Sequence, residues 1–375
     1  MRWFLRQFRS RRPRVEHSSH ARRGQGGGRR VSLRRRSRNL AGGASPSAVG
    51  PRETGRSAFS ASGHFALASR FAQNAGREAP GSLARSFAGS LAGSGKLKLG
   101  ELKALLQARG LAPRHHLGQN FLIDPALLAA IPKDAGVQAG QPVMEVGPGY
   151  GALTESLLHA GARVLAVELD RGLASWLRER LAPAMEAGHL QVVEGDVLGD
   201  RGRFHPEVEA WWDRNQTPLV VSNLPYGISG PFLSRLPQRS LLGACLLLQR
   251  EMAERAAAAT RGGALSPLAV RLSLRFEVQL GRKVPRQVFW PRPEVESSFL
   301  HLRPRQDGLQ SAEDQALEPV LRFAFGQRRK RLLPRLRREF PQWAALLESL
   351  GVEEEWRPEK ISAKLWMQAL KGLES

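Results

Sequence analysis

Between residues 142 and 248 the chain repeats one pattern: a short apolar run, a chemically distinctive turn, then a helix-like segment. The apolar runs are 142–146, 163–167, 190–193, 219–221 and 241–248, and helical spacing fills 152–160, 171–182 and 229–236. Strands that alternate with helices join in parallel, because a parallel connection needs a long crossover and a helix supplies it. The expectation is an α/β fold, a Rossmann-like parallel sheet with helices on both faces. Ligands of such sheets bind beyond the carboxyl ends of the strands, and that is where the distinctive turns fall.

Ahead of this block, 99–109 has helical spacing through Leu102, Leu105 and Leu106. Asp124-Pro125 then opens another helix, with Asp as cap and Pro at the first position. Beyond Pro304 the strands stop, and 312–325, 330–339, 343–350 and 361–373 read as helices. The organisation expected is an extension over 1–95, a sheet domain over 96–304 and a small helical domain over 305–375.

Charge separates the first segment from the rest. Residues 1–100 hold 21 Lys and Arg against only Glu16, Glu53 and Glu78, so they carry +18 of the net charge of +23. The folded remainder is therefore only mildly basic. Residues 1–95 are rich in Arg, Ser, Gly and Ala, lack apolar periodicity and read as disordered. Three roles stand open for them: an extension with no part in the fold, an organellar transit peptide, or a basic arm on RNA phosphates. The expected location is the cytoplasm, or an organelle if the extension is a transit peptide.

No run approaches the ~18 apolar residues of a membrane span, so a soluble chain without membrane contact is expected. The single cysteine, Cys245, lies in an apolar run and reads as a small core residue; it has no disulfide partner. No Cys/His cluster has zinc-ligand spacing, and no metal is expected. The histidines, including His115 and His116, are assigned to neither metal binding nor base catalysis.

The first strand ends in Glu145-Val146-Gly147-Pro148-Gly149-Tyr150-Gly151. Glycines between a strand and a helix allow a sharp turn and close approach to a ligand, although a purely structural turn uses them too. Gly147, Gly149 and Ala152 also satisfy the dinucleotide spacing. Glu145 argues against a pyrophosphate, because a carboxylate there repels phosphate and suits an amine. S-adenosylmethionine carries an ammonium and a sulfonium and no phosphate. The second strand ends at Glu168, where an acid can hold ribose hydroxyls, and the third at Asp196, which can accept from an adenine amine. Each acid alone reads as a loop carboxylate; three closing successive strands form a pattern.

The fourth strand ends in Ser222-Asn223-Leu224-Pro225-Tyr226-Gly227-Ile228. Asn, Pro and Gly are turn formers, so a plain turn is one reading. Further on, Arg328, Arg329, Lys330 and Arg331 belong to a basic run over 327–338. Such a run is ordinarily a solvated helix face, and in an RNA-binding protein a phosphate contact.

These motifs, with Leu117-Gly118-Gln119-Asn120-Phe121-Leu122, the run 249–255, the stretch from Phe289 to Ser298 and Phe323 to Lys330, resemble the RsmA/KsgA rRNA adenine dimethyltransferases, with their organellar relatives and the Erm methyltransferases. The resemblance covers residues 99–371. It implies a class I S-adenosylmethionine-dependent methyltransferase with a small carboxyl-terminal helical domain. By that resemblance Asn120, Leu122, Glu145, Gly147, Gly149, Glu168, Asp196 and Asn223 bind the cofactor. The catalytic set is Asn223, Leu224, Pro225, Tyr226 and Phe289, with Phe289 stacking on the target base opposite Tyr226. The implied substrate is two adjacent adenosines in the 3'-terminal hairpin of small-subunit rRNA, within an immature small ribosomal subunit, and the protein is expected to act as a monomer.

Two departures bear on substrate positioning. Gly227 stands where the family usually has Asn, and Leu265-Ser266 where Tyr-Gly is common. Rival readings are methylation of protein glutamine or DNA adenine, and a non-catalytic RNA-binding assembly or mitochondrial-type transcription factor. Leu224 in place of a second proline disfavours the first rival, and the intact Glu145, Glu168, Asp196 and Asn223 set disfavours the second.

Overall fold

A computed structural model describes residues 99–114, 117–200 and 203–373. The readings of residues 1–95, and of His115 and His116, lie outside the described residues.

The five apolar runs form five parallel strands: β2 (Pro142–Val146), β3 (Arg163–Glu168), β4 (Leu190–Glu194), β5 (Leu219–Asn223) and β6 (Gly243–Gln249). A two-residue strand, β1 (Phe121–Leu122), precedes them. Two further strands of the main sheet were not anticipated, β7 (Phe276–Val284) and β9 (Ser297–Pro304), which add antiparallel to the β6 edge; the sheet order is β4-β3-β2-β5-β6-β9-β7. The alternation that marks β7 is present, since Phe276 and Val278 are buried while Glu277 and Gln279 point away from the core. β8 (Phe289–Trp290) leaves the main sheet and pairs with β1 as a separate ribbon.

Helices cover both faces. On one side α1 (Leu99–Ala108), α2 (Pro125–Asp134), α3 (Ala152–His159), α4 (Arg171–Arg180) and α5 (Ala182–Glu186) close a core around Val143, Leu157, Ala166 and Leu177. On the other, α6 (Pro206–Asn215), α7 (Ser229–Leu233), α8 (Arg250–Ala256) and α9 (Ala258–Arg261) flank a core around Met144, Leu165, Val220 and Leu246. Strands buried on both faces need apolar residues at successive positions, and this is why the runs are continuous rather than alternating. Caps set the helix starts: Asp124 accepts from the Leu127 N–H, and Asp170 from Gly172 and Leu173. Among the described residues no helix is long and apolar enough to cross a membrane.

A third core holds the carboxyl-terminal helices α11 (Ser311–Gly326), α12 (Leu333–Glu339), α13 (Pro341–Ser349) and α14 (Ala363–Gly372), together with Val270 and Leu274 of α10 (Pro267–Arg275). Arg271 of α10 reaches into it. Its guanidinium donates to both Asp314 oxygens at 2.8 and 2.6 Å and to the Ser234 carbonyl, with both charged groups buried. The helix expected over 330–339 starts only at Leu333; Pro334 lacks an N–H and suits a first turn, leaving 327–330 as a turn.

Candidate active site

The glycine loop and the Asn223 turn lie side by side at the carboxyl ends of β2 and β5. They line one cleft of about 890 Å³, part of it open to solvent, with Asn120, Leu122, Glu145, Gly147, Gly149, Glu168, Asp196, Asn223, Leu224, Pro225 and Tyr226 on its walls. Eleven residues anticipated from the sequence thus meet in one place. Phe289 does not. It is 3 % exposed, paired with Leu122 in the β1–β8 ribbon and packed in the core. The ribbon takes an apolar residue on its inner side, and Phe289 fills that position.

Glycine is required at Gly147 and Gly149 by backbone and by space. Both have positive φ, +67° and +60°, and a Cβ would fall 2.5 Å from Pro225 Cγ at the first and 2.8 Å from the Phe121 ring at the second. The loop is then locked to the second strand: the Gly149 N–H donates to Glu168 Oε2 at 2.9 Å and the Asp170 N–H to Oε1 at 2.8 Å. A carboxylate has about four acceptor sites, so Glu168 keeps capacity to accept a ribose hydroxyl beside these backbone donors. Burial pushes the Glu168 carboxyl up, against these hydrogen bonds.

Glu145 is 1 % exposed and faces the cleft with one oxygen held by Thr154, whose hydroxyl donates at 2.6 Å. Burial pushes its carboxyl up to about 8, opposed by Thr154 and aided by the nearby Glu168. A buried carboxylate of this kind favours a cationic ligand, which would restore its charge. Asp196 is exposed at the rim, with one oxygen accepting from the Leu198 N–H.

The Asn223 amide has a definite orientation. Its Nδ2 donates to the Asn120 carbonyl at 2.9 Å. A carbonyl can only accept, so the amino group must face Asn120 and Oδ1 remains as an acceptor. Pro225, at φ −54° and ψ 131°, continues the turn, and the Ser229 hydroxyl donates to its carbonyl. Tyr226 is half-buried, and its hydroxyl shares a 2.7 Å hydrogen bond with Ser297.

Sequence reasoning passed over several contributors. Thr154 braces Glu145, Tyr150 donates to the Leu122 carbonyl at 2.7 Å, and Arg114 reaches Asp170 at 3.2 Å. Thr154 carried a signal, one turn into the helix after the glycines; the other two are tertiary contacts with none.

The basic run divides. Arg335 donates to the carbonyls of Phe323 and Ala324 at the end of α11, and Arg337 pairs with Glu348 and Glu354. Arg331 pairs with Glu355 at 3.4 Å, while Arg328, Arg329 and Lys330 stand exposed on the turn.

The ribosomal RNA adenine dimethylase family model matches residues 111–374. A ribosomal RNA small subunit methyltransferase A from Opitutus terrae is 35 % identical over 282 residues, covering 73 % of this chain and 97 % of the relative. The protein of that name from Magnetococcus marinus is 35 % identical over 273 residues, covering 72 % and 95 %. Among solved structures, the 23S rRNA methyltransferase ErmE superposes with a TM-score of 0.51 at 27 % identity, covering 68 % of this chain and all of that one. A dimethyladenosine transferase from Plasmodium falciparum, at 22 % identity and the same TM-score over 67 % of this chain and 96 % of that one, shares the fold.

Proposed function

This chain belongs to the ribosomal RNA adenine dimethylase family, and from that premise we propose that it transfers methyl groups from S-adenosylmethionine to the N6 amines of two adjacent adenosines in the 3'-terminal hairpin of small-subunit rRNA, on an immature subunit. The observation that carries the reading is the Asn223 amide, whose Nδ2 is committed to Asn120 so that Oδ1 serves as acceptor.

When bound, S-adenosylmethionine supplies a methyl group made electrophilic by its sulfonium. Glu145 would accept from or pair with its ammonium, Glu168 would take the ribose hydroxyls and Asp196 the adenine amine, and Gly147 and Gly149 would let the backbone approach closely. The buried carboxyl of Glu145 and the Cβ-free surface at both glycines fit such a ligand.

The target amine is a poor nucleophile because its lone pair is delocalised into the ring. The Asn223 Oδ1 and the Leu224 carbonyl accept its two hydrogens and direct the lone pair at the methyl group. Pro225 restricts the backbone that presents the Leu224 carbonyl. Tyr226 offers a face for the base, which must leave its stack to enter. The amine loses its proton after it becomes cationic, so no strong general base is required. Arg328, Arg329 and Lys330 contact rRNA phosphates, with Arg331 tied to Glu355 beside them.

The test is transfer of labelled methyl to small subunits that lack the modification, followed by nucleoside analysis. N6,N6-dimethyladenosine is the expected product. Binding of cofactor and subunit without transfer would favour the non-catalytic reading, and label in protein glutamine or DNA adenine would favour the other rival.

A further inference from the structure

The paired register of β2 and β5 stops short of the cleft. Their ladder pairs Val143 with Leu219 and Met144 with Val220 and goes no further. On their other sides β2 stays paired with β3 through Val146, and β5 with β6 through Asn223. This is the point where the strand order reverses, and there the crevice opens. Carried on in the same register, Val146 would face Ser222 and Gly147 would face Asn223. At that level no backbone pairing joins the two strands. One side chain crosses instead: the Ser222 hydroxyl donates to the Val146 carbonyl at 2.6 Å.

Each partner in that bond is directly followed by a residue of the site. Val146 leads into Gly147, and Ser222 into Asn223. Ser222 is 2 % exposed and does not line the cleft, so it meets neither substrate nor cofactor. Just beyond it the two turns touch, since no Cβ would fit between Gly147 and Pro225 Cγ. The packing fixes how near the turns can come; the hydroxyl fixes how far apart they can drift.

We propose that Ser222 is a positioning residue for methyl transfer, its hydroxyl setting the separation between the Gly147 loop, which holds the methyl donor, and the Asn223 turn, which holds the acceptor amine. The inference rests on the function proposed above. A transfer between two held groups depends steeply on their alignment, whereas binding each partner singly depends on one turn at a time. Removing the hydroxyl should therefore slow the chemical step and spare both binding equilibria.

The experiment compares the full-length wild-type chain with Ser222→Ala on unmodified small subunits. It measures S-adenosylmethionine affinity by calorimetry, subunit affinity, the single-turnover rate at saturation, and the ratio of mono- to dimethyladenosine. The expected result is a rate lowered by about tenfold, both affinities within about twofold, and a product enriched in the monomethyl form. Retained cofactor affinity also establishes that the variant is folded. A rate within about twofold of wild type overturns the proposal, as does a loss of cofactor affinity that accounts for the whole effect. If the wild-type chain itself transfers no methyl group, the proposed function has failed instead.

Discussion

The cleft and the basic turn after α11 use their polar groups in opposite ways. In the cleft, Glu145, Glu168 and Asn223 each commit part of their hydrogen-bonding capacity to the protein and keep part for a ligand, and the two acids are buried. Around 327–338 the work is divided between residues: Arg335 and Arg337 hold the fold, and Arg328, Arg329 and Lys330 face solvent. A half-committed buried group has one geometry, as alignment of a reacting pair requires. An exposed arginine on a turn acts through charge, tolerates displacement and is screened by salt. Chemistry and RNA affinity should therefore separate under mutation.

The hardest blow to the cleft is Gly147→Ala. Its Cβ would meet Pro225 at a positive φ, disturbing donor loop and acceptor turn together. We expect kcat/KM to fall by about 10²- to 10³-fold, with subunit affinity retained, by steady-state kinetics and filter binding. The complementary change is reversal of Arg328 and Arg329 to Glu. Subunit binding should weaken by about tenfold or more, and the salt slope of log affinity should fall by about 2, while calorimetric cofactor affinity is unchanged. Loss of cofactor binding there would erase the distinction between the regions.

A third contrast is in pH. The Glu145 carboxyl sits near 8 in the folded protein against an ordinary value of 4.5. Between those values the folded chain holds a proton that the unfolded chain has released. The stability from this group is thus complete below 4.5 and lost as pH rises towards 8, by up to about 1.4 kcal/mol per pH unit. Denaturant titrations of the cofactor-free protein across that window should show Glu145→Gln with the shallower decline. Equal slopes would remove the assignment.

Much of this was legible before the structure. The five parallel strands announce themselves because each is buried on both faces, and the residues that end them are polar where a core strand has no reason to be. The edge strand β7 was overlooked because its run mixes charged and apolar residues, as half-solvated strands do, and the inner strand β9 because it opens on two serines and is interrupted by His301. The pairing of Phe289 with Leu122, which puts its side chain in the core, has no signal in the local sequence. Ser222 is a similar case. A serine beside a turn has no pattern of its own, and its significance appears only once Val146, 76 positions away, is beside it. Arg335 and Arg337 likewise look like further RNA contacts until the α11 carbonyls and the acids Glu348 and Glu354 come into reach.

The central claim is that Asn223 orients the acceptor amine rather than merely shaping the cofactor site. The direct test is the single-turnover methyl-transfer rate of Asn223→Ala, with S-adenosylmethionine and unmodified small subunits both saturating. The account predicts a rate lower by about 10²-fold or more with both partners still bound. Near-normal turnover at saturation would contradict it.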